Sequence, residues 1–200
     1  AECVRKLRPQ DSAATPRLKV HLYMAPPKKQ QRKWALEKLT ELGVDGIHFL
    51  DTEFSTIDRK DWDPERNRLH VWEAAEQCER LTVPSVSQHV QPLSIFIKTH
   101  WQQSSAVPTN EAWFICQERS KSEPMADALR DLSPAIDTVN VLVGPEGGWS
   151  PSEVELFAQH ATAPASPSVQ SVSLGSLVLR AETASITSAA AIMLHNDSSQ

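Results

Sequence analysis

Several things that would classify a protein quickly are scarce or missing here. Only 6 of the 200 residues are glycine, which is 3%, against roughly 7% in an average protein. The three cysteines, Cys3, Cys78 and Cys116, lie far apart and form no C-x-x-C pair. So sparse and odd a set excludes a disulfide framework and a cysteine-based zinc site, and it fits a reducing compartment. The seven histidines show no H-E-x-x-H or similar spacing, so no metal is expected. No apolar run approaches the roughly 20 residues that span a bilayer, so no membrane partner is expected either. What remains is an ordinary globular composition, 40% hydrophobic and 22% charged, long enough for one domain with a real core.

The few glycines sit in three places: Gly43 and Gly46, then Gly144, Gly147 and Gly148, then Gly175. A chain that uses glycine so rarely has a backbone reason for each cluster. Charge is also uneven. Residues 1–40 hold ten Lys/Arg and three Asp/Glu, a net of +7, while the remainder carries −12, giving −5 overall. A basic segment on an acidic body suits a phosphate-contacting surface; a solvated helix face with a charged tail is the plainer alternative. Residues 1–17 are expected to form a basic mobile arm, residues 18–195 the domain and residues 196–200 a tail. No hydrophobic signal sequence is present. The expectation is a cytoplasmic protein, or an organellar one after loss of a targeting segment.

Leu18 to Met24 alternates apolar and polar residues and predicts a strand, ended by Pro26-Pro27. Ala35, Leu39 and Leu42 recur at helical spacing and predict a helix over 30–42, with Gly43 as its C′ residue. Ile47 to Leu50 reads as a short buried strand. Arg68 to Glu79 reads as a second helix with Leu69, Trp72, Ala75 and Cys78 facing inward. Leu93–Ile97, Ala112–Cys116 and Thr138–Val143 read as strands, and Met125–Leu132 as a helix. Ser150, Pro151 and Glu153 predict a capping box that opens a helix running to about His160. Residues 161–171 read as a loop, Val172–Leu179 as an apolar stretch around Gly175, and Ala181–His195 as a final helix. Strands alternating with helices predict an α/β fold with a mostly parallel sheet and helices on both faces.

Two segments carry chemistry. Thr138–Val143 feeds directly into Gly144-Pro145-Glu146-Gly147-Gly148, and the carboxyl end of a parallel strand is where open α/β sheets bind ligands. No Lys-Ser/Thr follows and G-x-G-x-x-G is absent, so this is not a phosphate loop. Glu146 suits a neutral or cationic ligand better than an anionic one. The second segment runs from Ser173 through Gly175 into a helix whose start carries Arg180, Glu182 and Thr183. Glu182 near a helix N-terminus is favoured by the dipole; Arg180 there is not, which points to a functional contact.

Together, LVGPEGGWSPSEVE and SLG-x-x-x-LRAETA resemble the RsmE-type ribosomal RNA uridine-N3 methyltransferases of the SPOUT superfamily. Lys28–Val44 and Trp72–Pro84 agree, so four ordered blocks cover roughly residues 18–195. The resemblance implies an α/β domain whose C-terminal part is threaded into a trefoil knot, against the general rule that chains do not thread. It implies S-adenosyl-L-methionine as cofactor, held by Leu142, Val143, Gly144, Pro145, Glu146, Gly147 and Gly148, and by Ser173, Leu174, Gly175, Leu177 and Leu179. It implies small-subunit ribosomal RNA as partner and a homodimer, in which the Ala-rich last helix packs closely; simple core packing is the alternative for that helix. Arg180 and Glu182 are the catalytic candidates, with Glu146 a further possible base. Lys28, Lys29, Arg32, Lys33, Gln77 and Arg80 are the RNA-contact candidates. The family usually carries an N-terminal β-barrel, where only 17 residues precede Leu18 here. Either it was trimmed, or RNA binding is expected to fall to the basic arm with Lys28, Lys29, Arg32 and Lys33. The chain also carries Leu177 where the family has an arginine. Two other readings stand beside this one: a SPOUT methyltransferase with a different RNA site, and a catalytically weak RNA-binding dimer.

Overall fold

The computed structural model describes residues 17–56, 61–102, 110–118, 122–161 and 168–198. All but one residue of the expected N-terminal arm therefore lies outside the described residues. Seven strands form one sheet in the order β3-β2-β1-β6-β4-β7-β5, with every neighbouring pair parallel. They are β1 (Lys19–Met24), β2 (Gly46–Asp51), β3 (Ser85–Pro92), β4 (Glu111–Cys116), β5 (Glu123–Pro124), β6 (Thr138–Val143) and β7 (Ser168–Ser173). The helices are α1 (Lys29–Glu41), α2 (Pro64–Gln77), α3 (Leu93–Ile97), α4 (Met125–Arg130), α5 (Pro151–Ala161) and α6 (Ala181–Ser198). A π-helical turn, Lys98–Gln102, extends α3. The expected parallel α/β architecture is the one found.

Strand alternation divides the core between the two faces of the sheet. Val20, Leu22, Met24, Phe114, Val141 and Val143 pack toward the helix layer that includes α1, α4 and α6. Tyr23, Trp113, Ile115 and Leu142 point the other way, toward α3, the π turn and Phe157 of α5. On this second face His21 Nδ1 and His48 Nε2 are 3.3 Å apart, and His48 stacks on Tyr23 with ring centroids 4.5 Å apart. A Cβ on Gly46 would overlap both imidazoles, so glycine is needed there for close approach. Burial, with His21 and His100 nearby, pushes the His48 imidazole down to about 4.

Three sequence expectations are corrected. Leu93–Ile97 is a helix, not a strand: Leu93, Phe96 and Ile97 are its buried residues, at helical spacing, and Pro92 precedes them. The strand is the more polar Ser85–Pro92, which lies at one edge of the sheet and so has no alternation of strong apolar residues. Helix α2 starts at Pro64, four residues early, because the Asp63 carboxylate accepts the Arg66 N–H and caps it. Its inward residues are Asn67, Val71, Ala74 and Ala75, while Leu69, Trp72 and Cys78 are exposed. The expected loop 161–171 contains most of β7, whose Val169 and Val172 are buried between the flanking polar residues.

The register brings four strand ends flush. Met24 and Cys116 both lie opposite Val143, and Cys116 lies opposite Val172. The Ala25 N–H donates to Val143 O and the Gln117 N–H to Val172 O. The chain leaving β4, β6 and β7 therefore starts from one line at the carboxyl edge.

Candidate cofactor and RNA site

The three segments that leave this line enclose a cavity of about 390 Å³, inside the roughly 300–1,000 Å³ of small-molecule sites. One wall is Cys116–Glu118, the second runs from Val143 to Trp149, and the third comprises Ser173–Gly175 and Leu177–Leu179. Ala181 and Ala184 of α6 and Val154 of α5 complete it.

Local chemistry fixes each wall. The capping box is present: the Ser150 N–H donates to Glu153 Oε2 (2.8 Å) and the Glu153 N–H to Ser150 Oγ (3.3 Å). Glu153 Oε1 also accepts the Glu53 N–H (2.9 Å), so one buried carboxylate ties the β2–α2 connection to the start of α5. Trp149 Nε1 donates to Cys116 O at 2.9 Å and joins the first two walls. A Cβ on Gly144 would come within 3.1 Å of the Trp149 ring, so the ring lies directly over that backbone. Gly148 and Gly175 have φ of +74° and +128°, values that residues with a Cβ rarely adopt. Glu118 Oε1 accepts the Leu179 N–H (3.1 Å) and holds the third wall to the first.

Eleven of the twelve expected cofactor residues line the cavity: Val143, Gly144, Pro145, Glu146, Gly147, Gly148, Ser173, Leu174, Gly175, Leu177 and Leu179. Leu142 does not; alternation along β6 turns it into the core on the opposite face. Sequence reading missed Cys116, Gln117, Glu118, Trp149 and Val178. Cys116 ends a predicted strand adjacent to β6 and Gln117 and Glu118 follow it, so the rule about carboxyl ends of parallel strands would have found them. Burial pushes the Cys116 thiol up to about 11, and its Sγ lies 3.4 Å from Ser188 Oγ. It forms part of the wall. Among the described lining residues, Glu118 and Glu146 are carboxylates and none is basic.

Arg180 is exposed immediately before α6 and its carbonyl accepts the Ala184 N–H (2.8 Å). Glu182 is 5% exposed and its Oε2 has no hydrogen-bond partner. Neither lines the cavity, whose wall on this helix is Ala181 and Ala184. Lys28, Lys29 and Lys33 are exposed at the amino end of α1, with Lys33 Nζ 3.5 Å from Glu37. Arg32 is turned inward instead. It is 6% exposed, donates to Asp61 O (2.6 Å) and Asn67 Oδ1 (3.3 Å), and lies over the Trp62 ring. Arg80 donates to Thr40 O (3.0 Å) and Val44 O (2.6 Å) just ahead of β2, at the opposite end of the sheet from the cavity. Gln77, the last residue of α2, is exposed. Of these RNA-contact candidates, Arg80 thus spends its guanidinium on clamping the end of α1.

The family profile described as RNA methyltransferase domain matches residues 14–193. The chain belongs to this family. Within it, ribosomal RNA small subunit methyltransferase E of Rickettsia conorii is 31% identical over 169 residues, covering 84% of this chain and 61% of that protein. A crystal structure of a probable rRNA-methyltransferase from Porphyromonas gingivalis matches with a TM-score of 0.74 and 26% identity, over 92% of this chain and 70% of that one. The ribosomal RNA small subunit methyltransferase E of Neisseria gonorrhoeae, solved bound to S-adenosyl methionine, matches with a TM-score of 0.70 and 25% identity. That match covers 88% of this chain and 66% of that one. The chain thus spans about three-fifths of the Rickettsia relative's length. No helix among the described residues is long and apolar enough to cross a membrane, and no group of three or more metal-ligating side chains occurs among them.

Proposed function

We propose that this domain transfers a methyl group from S-adenosyl-L-methionine to N3 of a uridine in small-subunit ribosomal RNA, as a cytoplasmic homodimer. The observation that carries the proposal is the cavity: glycine-bordered, backbone-rich and carboxylate-bearing, in a chain of the RNA methyltransferase domain family. S-adenosylmethionine is a cation at its sulfonium. A site with Glu118 and Glu146 on its walls and no basic side chain among the described lining residues suits that charge. The main chain of 143–148 and 173–179 would hold adenine and ribose, with knotted threading of this C-terminal part as the resemblance implies. When bound, the cofactor supplies an electrophilic methyl group.

The remaining work falls to the protein. The uracil ring must be held so that N3 lies in line with the methyl group, and much of the acceleration comes from that positioning. N3 exchanges its proton for the methyl, so a general base within hydrogen-bond reach would take the proton. Glu182, with its unpartnered Oε2, is the first candidate, and Glu146, exposed on the cavity wall, is the second. Arg180 would balance the negative charge that develops on the uracil. Lys28, Lys29 and Lys33 would contact phosphates.

Labelled methyl transfer to small-subunit rRNA tests the proposal, with the product mapped to uridine N3 and lost in Arg180→Ala. Absence of cofactor binding by calorimetry at millimolar concentration overturns it. Leu177, 78% exposed where the family carries arginine, favours a second reading, an RNA-binding dimer with little turnover. RNA binding without methyl product selects that one.

A further inference from the structure

Phe54 lies beside the cavity on the connection between β2 and α2, and 43% of it is exposed. It belongs to neither core cluster. Its inner side rests on the glycine turn: a Cβ on Gly147 would lie 3.0 Å from Phe54 Cβ and 3.5 Å from Cγ. A side chain at 147, which is itself part of the cavity wall, would press on Phe54 and force a shift of a few tenths of an ångström. Single exposed apolar residues are common and need no explanation. This one is different because the segment that carries it is fixed on both sides.

Just before Phe54, the Glu53 N–H donates to Glu153 Oε1 (2.9 Å), and Ser152 Oγ donates to Glu53 Oε2 (3.1 Å). Around it, the Thr52 N–H donates to Ser55 Oγ (3.0 Å) and the Ser55 N–H to Thr52 O (3.0 Å), closing a tight turn. The ring is thus presented at a set position by a braced turn, so little ordering entropy is lost when a flat ligand settles on it.

Methylation at N3 requires an unpaired base, because N3 is occupied in a Watson–Crick pair, and an unpaired base offers its π faces to an aromatic side chain. We propose that Phe54 is the stacking platform for the unpaired uracil presented to the cavity. This deepens the function proposed above and rests on it for the identity of the base. It makes Phe54 a residue that positions RNA, with no part in holding the cofactor.

The test uses the whole chain and three variants, Phe54→Ala, Phe54→Leu and Phe54→Trp, with two probes. A fluorescent single-stranded uridine decamer reports RNA affinity, and S-adenosylmethionine calorimetry reports the cavity. Stacking predicts that Ala and Leu weaken decamer binding by about 5- to 100-fold, that Trp restores it, and that cofactor affinity stays within about twofold throughout. Leu retains apolar contact with Gly147 but offers no aromatic face, so it separates stacking from packing. The idea is overturned if Ala and Leu bind the decamer like the unmodified chain, if the unmodified chain does not bind it, or if cofactor affinity falls in parallel. Failure of the methyl-transfer assay with decamer binding and its Phe54 dependence intact would instead count against the proposed reaction alone.

Discussion

At the amino edge of the sheet, Arg80 spends its guanidinium on the carbonyls of Thr40 and Val44. Arg17 there bonds Gly43 O (2.8 Å) and the Asp45 carboxylate (2.6 Å), whose other oxygen takes the Val20 N–H (2.9 Å). At the carboxyl edge, Arg180 is exposed, Glu182 Oε2 has no partner, and Gly148 and Gly175 shape the backbone. The same residue type thus serves as a clamp at one edge and is left available at the other. Charge counts along the sequence cannot separate these roles; only the partners do.

The largest expected difference lies in catalysis. Arg180→Ala should lower the methyl-transfer rate by about 100-fold or more, while leaving the unfolding midpoint unchanged. Measuring both quantities on one preparation decides whether Arg180 is available for chemistry or structural after all.

The next effect concerns pH. His48 is held at about 4 in the folded protein by burial, below its ordinary 6.5. Above pH 6.5 the imidazole is neutral in both states and its contribution is fully present. As pH falls from 6.5 toward 4, the unfolded chain takes up a proton that the folded one does not, so stability declines by up to about 3 kcal/mol. Urea titrations at pH 7 and pH 4.5 should show that decline, and His48→Asn should lessen it, leaving the share of the other buried imidazoles His21 and His100.

Arg80→Ala should cost about 2 kcal/mol, lowering the thermal midpoint by about 5 °C, because two carbonyls lose a charged donor. Cofactor affinity should not change. A variant that folds normally but loses cofactor would erase the distinction between the edges. The smallest effect is expected for Glu153→Gln, at about 1 kcal/mol by chemical denaturation, since an amide oxygen can replace only one of the two acceptors that Ser150 and Glu53 use.

Sequence reading located the cavity better than it located the clamps. The GPEGG turn, the Ser150–Glu153 box and the Gly175 stretch are local signals: each depends on residues within a few positions, so each was legible. Glu118, in the first wall, accepts from Leu179 across 61 residues, and Arg80 donates to Thr40 across 40. No local pattern encodes such pairings. Leu93–Ile97 misled because β-branched and aromatic residues suit a strand as well as a buried helix; burial of Leu93, Phe96 and Ile97 together settles it. On α2, the large residues Leu69 and Trp72 suggested an inner face, but the helix buries the smaller Val71, Ala74 and Ala75 against α1.

Leu18 donates its N–H to Asn196 Oδ1, and Arg17 Nη1 lies 3.6 Å from Met193 Sδ, so the two ends of the domain are stitched together at the amino edge. The cavity opens at the other one, a six-residue strand away, or about 20 Å. Changes at that fastening are therefore expected to alter the stability of the domain without reaching the cavity.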